Sequence, residues 1–593
     1  MTKGLPDAPP GAASSQATAA AAPSAAMPDA GTSGQSTPEP STPEPGAPEP
    51  GAPAPRRPAA PSPATGHRPA EEDWEPFGPA LFQDESTRAL SRVGVVDVGS
   101  NSVRMVVFDG AARSPAYFYN EKIMCGLGKG LVETGRLNPE GRRRALVALR
   151  RFALLARGMG VEPLTVVATA ATREAEDGPE FQEEILRETG LRLHVIDGDE
   201  EARLSAQGVL LGWPDAKGLV CDIGGNSMEL ARIGDGKVGK RVSTPLGPFR
   251  LTQLPGGPKK RKDHIDRILK DVGRTIRSTG ERIYLVGGSW RVIARLDMER
   301  RNYPLLVLHE YRMKPDALLD TLDWIAASDP AVLRARTGTS AERMELVPIA
   351  CEVLRELIRV LKPREIDVSA YGIREGLLYE QMPERLRARD PLIEAARMTE
   401  HSQARVPGFG KKLFEFLMPL FQGTAHQRLR LIKTACLLHD TTWRAHPDYR
   451  AEACFDNATR ANLGGLDHQG RVFLGLALLH RYKNSRSGNR MTPLFRLLSD
   501  EDIRQAEVLG KAMRFGAMFS AADPARAGRL VWQPKKKTLG LELTEEGEGL
   551  FGEVSQARFA SLAVALKAQA RVTGPKAPKP KAPRGRAAGA ATE

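Results

Sequence analysis

The chain has 593 residues, 41% hydrophobic and 26% charged, with a formal net charge of +13 and a sequence pI near 9.5. At ~100–200 residues per domain this allows three or four domains with sizeable cores, and the basic excess points to a polyanionic partner. Five scattered cysteines without a Cys-x-x-Cys pair argue against a disulfide framework or a cysteine zinc site and fit a reducing compartment. Neither a charged start followed by an apolar run nor an uninterrupted apolar stretch of ~18 residues occurs, so a secretory leader and a membrane span are not expected.

Residues 1–87 are rich in Pro, Ala, Gly, Ser and Thr and contain STPEPSTPEPGAPEPGAPAP. With few large apolar groups to bury, this segment cannot offset its ordering entropy and is predicted to be disordered. An α/β pattern follows. Arg92–Asp97 and Val103–Phe108 read as strands joined by the turn GSNS, and Leu164–Ala171 and Leu191–Ile196 as further strands. Helical periodicity covers Asn138–Arg157 and Pro179–Glu188 between them. Leu219–Asp222, Met228–Ile233, Arg282–Val286 and Ile366–Ala370 read as strands, with helices near 263–279, 317–328 and 341–361. From 385 to 570 helical periodicity takes over and predicts an all-α domain, followed by a basic, Pro-rich tail at 571–593 that is predicted to be disordered. The α/β part divides into lobes at 88–214 and 215–384.

One sequence feature occurs twice. Val96-Asp97-Val98-Gly99-Ser100-Asn101-Ser102 is echoed by Cys221-Asp222-Ile223-Gly224-Gly225-Asn226-Ser227. Each copy is an apolar strand ending in Asp, a turn of small residues, and a returning apolar strand. Glycine permits positive φ and close backbone approach, successive N–H groups in such a turn form an anion site, and a strand-end Asp can hold Mg2+. Two ordinary hairpin turns are the competing reading for either copy alone; the matched Asp, Gly, Asn and Ser favour a paired phosphate grip.

Three further groups carry candidate chemistry. Asp199, Glu200 and Glu201 open a helix after LRLHVI, where Asp199 reads as its N-cap. One glutamate could instead orient and deprotonate a water, and composition does not choose between Glu200 and Glu201. Alternation places Glu229 on the same strand face as Ser227, within reach of a metal or the water; an exposed strand glutamate is the alternative. Arg173, after the strand LTVVA, suits phosphate oxygens or a surface ion pair.

Taken together, DVGSNSVRMVV, ATAATREA, DGDEEARLSAQGV, DIGGNSMEL, STPLGPFRL, LVGGSWRVIARL and SAYGIREGLLY resemble, in order over 92–385, the exopolyphosphatase / guanosine pentaphosphate phosphohydrolase family. That resemblance implies a two-lobed actin-like (ribonuclease H-like) ATPase fold with mixed sheets, followed by an HD-like helical domain. It implies Glu201 as catalytic base, with Asp97, Asp222 and Glu229 around Mg2+, or Mn2+ in its place. It carries over Ser100, Asn101, Ser102, Arg173, Gly224, Gly225, Asn226 and Ser227 as phosphate contacts, although the family usually has a third glycine where Asn226 stands. It further implies a cytoplasmic homodimer acting on inorganic polyphosphate or guanosine pentaphosphate, with neither a membrane nor nucleic acid as partner. A non-catalytic sensor of polyphosphate or ppGpp, and a sugar or acetate kinase, are the alternatives of other classes.

Two features stay outside this scheme. The basic runs Pro258–Lys262 and Lys535–Lys537 read as solvated loops or as a path for a polyanion. In the helical domain, His426, His439, Asp440, Asp467 and His468 could ligate a metal, but their loose spacing favours a structural or substrate-channel role.

Overall fold

The computed structural model describes residues 92–111, 113–161, 164–277, 280–485 and 490–575. The predicted disordered N-terminal segment and the basic tail beyond residue 575 lie outside the described residues.

In the first lobe, β1 (Val93–Val98), β2 (Ser102–Ala111), β3 (Ser114–Met124), β4 (Leu164–Ala168) and β5 (Leu193–Val195) form one mixed sheet ordered β3-β2-β1-β4-β5. β1 is antiparallel to β2 and parallel to β4. The second sheet contains β6 (Gly218–Ile223), β7 (Met228–Gly234), β8 (Lys237–Thr244), β9 (Arg282–Gly287), β10 (Tyr311–Met313) and β11 (Glu365–Val368), ordered β10-β11-β9-β6-β7-β8. There β6 is antiparallel to β7 and parallel to β9. The arrangement of β8-β7-β6-β9-β11 therefore repeats that of β3-β2-β1-β4-β5, and the sequence echo is a repeat of whole sheets.

Both faces of each central strand are covered, which explains their near-continuous apolar composition. On β1, Val93 and Val95 enter the core between the sheets, while Val96 and Val98 pack against the helices outside. Helices Gly198–Gly212 and Ile373–Gln381 fill the space between the sheets. Their backbones meet so closely that a Cβ at Gly208 would lie 2.1 Å from Gly372 O, and one at Gly376 1.9 Å from Leu204 O. Only glycine fits either position without moving a helix.

Beyond residue 385, helices gather around a separate core that includes Leu437, Phe455, Phe473, Leu476 and Phe515. The all-α expectation fails at its end: β12 (Gly528–Gln533), β13 (Thr538–Leu543) and β14 (Gln569–Thr573) form a small sheet. Leu530, Leu539 and Leu541 are buried along β12 and β13, a period-2 signal hidden by the basic turn between them. Arg571–Thr573, assigned from composition to the tail, belong to β14.

Other elements also differ from expectation. β3 and β8 were not read from the sequence; both are edge strands rich in polar residues. The run Lys259–Lys262 lies on helix Gly257–Ile276, not in a loop, with Arg261 paired to Glu352 at 2.7 Å. All five cysteines are buried and free. No helix among the described residues is long and apolar enough to cross a membrane.

Candidate active site

The two echoed turns fold alike and face one another. Gly99 N donates to Ser102 O at 3.0 Å, and Gly224 N donates to Ser227 O at 3.0 Å. Neither glycine, nor Gly225, has positive φ, so the expected conformational reason for glycine does not apply. Close approach does: Gly225 packs on Ser100, where a Cβ would stand 2.9 Å from Ser100 Cβ.

Asp97, Gly99, Ser100, Asn101, Ser102, Glu201, Asp222, Gly224, Gly225 and Ser227 line one cleft of about 170 Å3 between the lobes. The strand-end aspartates thus share a crevice, as the paired grip requires. Asp97 Oδ2 accepts from Arg374 Nη1 at 3.0 Å, and Asp222 Oδ2 accepts from Ser205 Oγ. Ser205 stands one turn after Glu201 on helix Gly198–Gly212, so a single helical face serves both carboxylates.

Glu201 is 5% exposed, and its Oε2 accepts from Arg173 Nη1 at 3.2 Å. Burial, and then the neighbouring Glu229 charge, push the Glu201 carboxyl well above its ordinary range, while Arg173 pulls it down. Burial likewise raises Glu229 and Asp222. The helix cap is Asp197, which accepts from Glu200 N at 2.7 Å. Asp199, expected in that place, is instead an exposed first-turn residue paired with Arg241 at 2.6 Å. Glu200 pairs with Arg203 along the helix, so position alone separates the two glutamates: Glu201 faces the cleft.

Two expected contacts lie elsewhere. Glu229 is 1% exposed and stands behind the cleft wall, its Oε1 accepting from Ser243 Oγ at 2.9 Å. It is neither an exposed strand residue nor a wall residue. Asn226 turns away from the cleft toward the first lobe, and a Cβ at Gly128 would lie 3.0 Å from Asn226 Oδ1. Its carboxamide therefore does not narrow the cleft.

A basic wall escaped the sequence reading. Arg104, Lys122, Arg291, Arg343 and Arg374 line the same cleft. Arg104 follows Ser102 by two residues on β2, so strand alternation could have flagged it; the others come from separate elements. Burial in the cleft, and then repulsion from Arg343, Arg291 and Arg104, push Lys122 down to about 7. Because Lys122 keeps an exposed surface, the repulsion is its more durable cause. Burial lowers Arg291 to about 10.

The donor set suits a hard divalent cation. Asp97 and Asp222 offer carboxylate oxygens beside phosphate-sized anion loops, and burial raises the proton affinity of Asp222, which a cation would reverse. A Mg2+ site needs only one or two carboxylates, with phosphate and water completing its shell, and Asp97 and Asp222 offer two at the cleft.

Neither other candidate has this chemistry. A cavity of about 900 Å3 lies between the second lobe and the helical region, and its Arg428 and Arg430 are already bound to Asp502 and Asp390. In the helical region, Arg405 holds Asp440 through two bonds of 2.6 and 2.7 Å, and His439 is buried with Nδ1 2.9 Å from Cys436 O. Asp467 caps helix His468–Tyr482, and His468 Nδ1 lies 3.0 Å from Tyr303 Oη. These groups are consumed structurally.

Residues 106–385 match the Ppx/GppA phosphatase family, and residues 388–572 match the family described as Exopolyphosphatase, C-terminal. The chain is similar to Exopolyphosphatase 1 of Mycobacterium leprae, with 29% identity over 310 residues covering 49% of this chain and 89% of the relative. It is also similar to Retrograde regulation protein 2 of Saccharomyces cerevisiae, with 25% identity over 504 residues, 76% of this chain and 80% of that protein. A crystal structure of an exopolyphosphatase from Cytophaga hutchinsonii aligns with 51% of this chain and 99% of its own, at 24% identity and a TM-score of 0.45.

Proposed function

Because the chain belongs to the Ppx/GppA phosphatase family, we propose that it is a phosphoanhydride hydrolase removing terminal phosphate from inorganic polyphosphate, with Glu201 activating the water. The observation that carries this reading is the shared cleft in which Asp97, Asp222 and Glu201 converge beneath a wall of five cations.

In this mechanism Ser100, Asn101 and Ser102 from one turn, and Gly224, Gly225 and Ser227 from the other, bind the terminal phosphoryl oxygens. Asp97 and Asp222 would hold Mg2+, or Mn2+, which when bound supplies charge neutralisation at the reacting phosphoryl group. Glu201 accepts a proton from a water as its oxygen bonds to phosphorus, and the bond to the bridging oxygen breaks. Orthophosphate and a chain one unit shorter result. Phosphoryl transfer needs positioning and neutralisation more than covalent help, and the site is built for both. Glu201 must be ionised to act. Arg173 favours its ionised form, while Glu229 strengthens it as a base.

Inorganic polyphosphate is the substrate chosen because relatives this chain resembles are named exopolyphosphatases. The test compares phosphate release from polyphosphate by wild type and Glu201→Ala, alongside release from guanosine pentaphosphate. The variant is expected to lose at least ~100-fold in kcat, the scale of a general base, while still binding polyphosphate. Undiminished turnover by the variant would end the role of Glu201, and a higher kcat/KM for guanosine pentaphosphate would end the choice of substrate.

A further inference from the structure

A second recess, of about 350 Å3, adjoins the cleft. Ser227 lines both cavities. Arg173 lines the recess and reaches Glu201 with Nη1; among the described residues, Nη1 is its only hydrogen-bonding nitrogen. The Arg173–Glu201 pair and the Ser227 turn are therefore what separate the two spaces.

The recess wall carries mixed charge, and both its arginines are held by carboxylates, Arg173 by Glu201 at 3.2 Å and Arg250 by Glu174 at 3.0 Å. Arg173 and Arg250 stand on its wall with Ser243 and Thr244. Its carboxylates are already engaged: Glu174 with Arg250 at 3.0 Å, Asp199 with Arg241 at 2.6 Å, and Asp197 in the helix cap.

We propose that this recess is the exit for orthophosphate. The inference rests on the hydrolysis proposed above. The terminal phosphoryl group would sit deepest, beside Glu201, with the rest of the chain running out along Arg104, Lys122 and Arg343. After cleavage the shortened chain stands between orthophosphate and the cleft mouth. Departure by that mouth requires the chain to leave first. Departure past Arg173 does not, and lets the chain advance by one unit and react again. The recess thus makes processive shortening possible.

The test digests long-chain polyphosphate halfway with the full-length protein and Mg2+, and resolves the products by length. Wild type is expected to leave uncut chains and orthophosphate. Pro245→Trp, at the recess rim, narrows the passage, and Arg250→Glu repels the anion; both should give a ladder of intermediate lengths. Arg250→Lys, which keeps the charge, should behave as wild type and reports on folding. Single-turnover cleavage by Pro245→Trp should stay within about twofold of wild type, because the change falls on product release and not on chemistry. The proposal is overturned if both rim variants keep the wild-type product pattern at undiminished turnover. It is also overturned if wild type itself yields a ladder, although hydrolysis would then still stand. If wild type releases no phosphate at all, the proposed function fails and the exit with it.

Discussion

Gly225 and Ser100 touch across the cleft, one from each lobe, with room for no Cβ at position 225: it would lie 2.9 Å from Ser100 Cβ and 2.9 Å from Phe249 Cδ2. The phosphate turns therefore set each other's position. Gly225→Ala is expected to spread them by a few tenths of an ångström and to lower kcat roughly 10–100-fold, since small misplacements of reacting groups carry penalties on that scale. The global fold should persist. Saturating-substrate kinetics beside a thermal melt would check this, and unchanged kcat would mean that the turns do not need contact.

Metal affinity should depend on Asp222 and on its partner. Ser205 hydrogen-bonds Asp222 and holds its proton affinity down against burial. Asp222→Asn is expected to weaken Mn2+ binding by about tenfold or more, the range in which even outer-shell changes act. Ser205→Ala should have a smaller effect in the same direction. Calorimetric titration of Mn2+ measures this without reference to turnover. Wild-type affinity in Asp222→Asn would remove this carboxylate from the ion's shell.

Lys122 makes polyanion binding sensitive to pH. It sits low, near 7, through burial and the arginines around it. As pH rises past 7 the ammonium loses its proton, the wall loses one positive charge, and KM for polyphosphate should rise. Lys122→Met should show a higher KM at pH 6 and a flatter profile from 6 to 9, with kcat little changed. The difference between the two profiles isolates Lys122 from the substrate's own titration, and parallel profiles would count against it.

The sequence carried the central strands and the repeated turns, because each is local: apolar runs ending in Asp and turns of small residues. The choice of Glu201 over Glu200 came from the family resemblance and not from the residues themselves, since both open the same helix. The side-chain directions of Asn226 and Glu229 were not local. Asn226 is turned by its packing on Gly128 across the lobe boundary, and Glu229 is held behind the wall by Ser243 on the next strand. The basic wall was hidden for a related reason: Arg104 and Lys122 face each other across one hairpin whose second strand was not read, and Arg291, Arg343 and Arg374 come from elements far along the chain. β12 and β13 were lost for another reason: they are short and surrounded by helices, so a window tuned to helical periodicity passed over their alternation.

In the helical region Asp440 is bound to Arg405 beside the buried His439, and the structural role this implies for the two has a direct test. Asp440 is 4% exposed and held at both oxygens by Arg405, so a metal would have to displace a guanidinium. Burial pushes His439 down to about 3, with Arg481 adding to the effect, which leaves it neutral at physiological pH. A full-length protein carrying Asp97→Asn and Asp222→Asn removes the proposed cleft site from the comparison. In that background neither EDTA nor added Mn2+ or Zn2+ should shift Tm. Arg405→Ala should destabilise by about 1 kcal/mol, a modest cost because Arg405 is itself half-exposed and its charge is screened. A Tm that climbed with Mn2+ or Zn2+ would show a site in which Asp440 exchanges Arg405 for a metal, and the structural assignment of the pair would have to be given up.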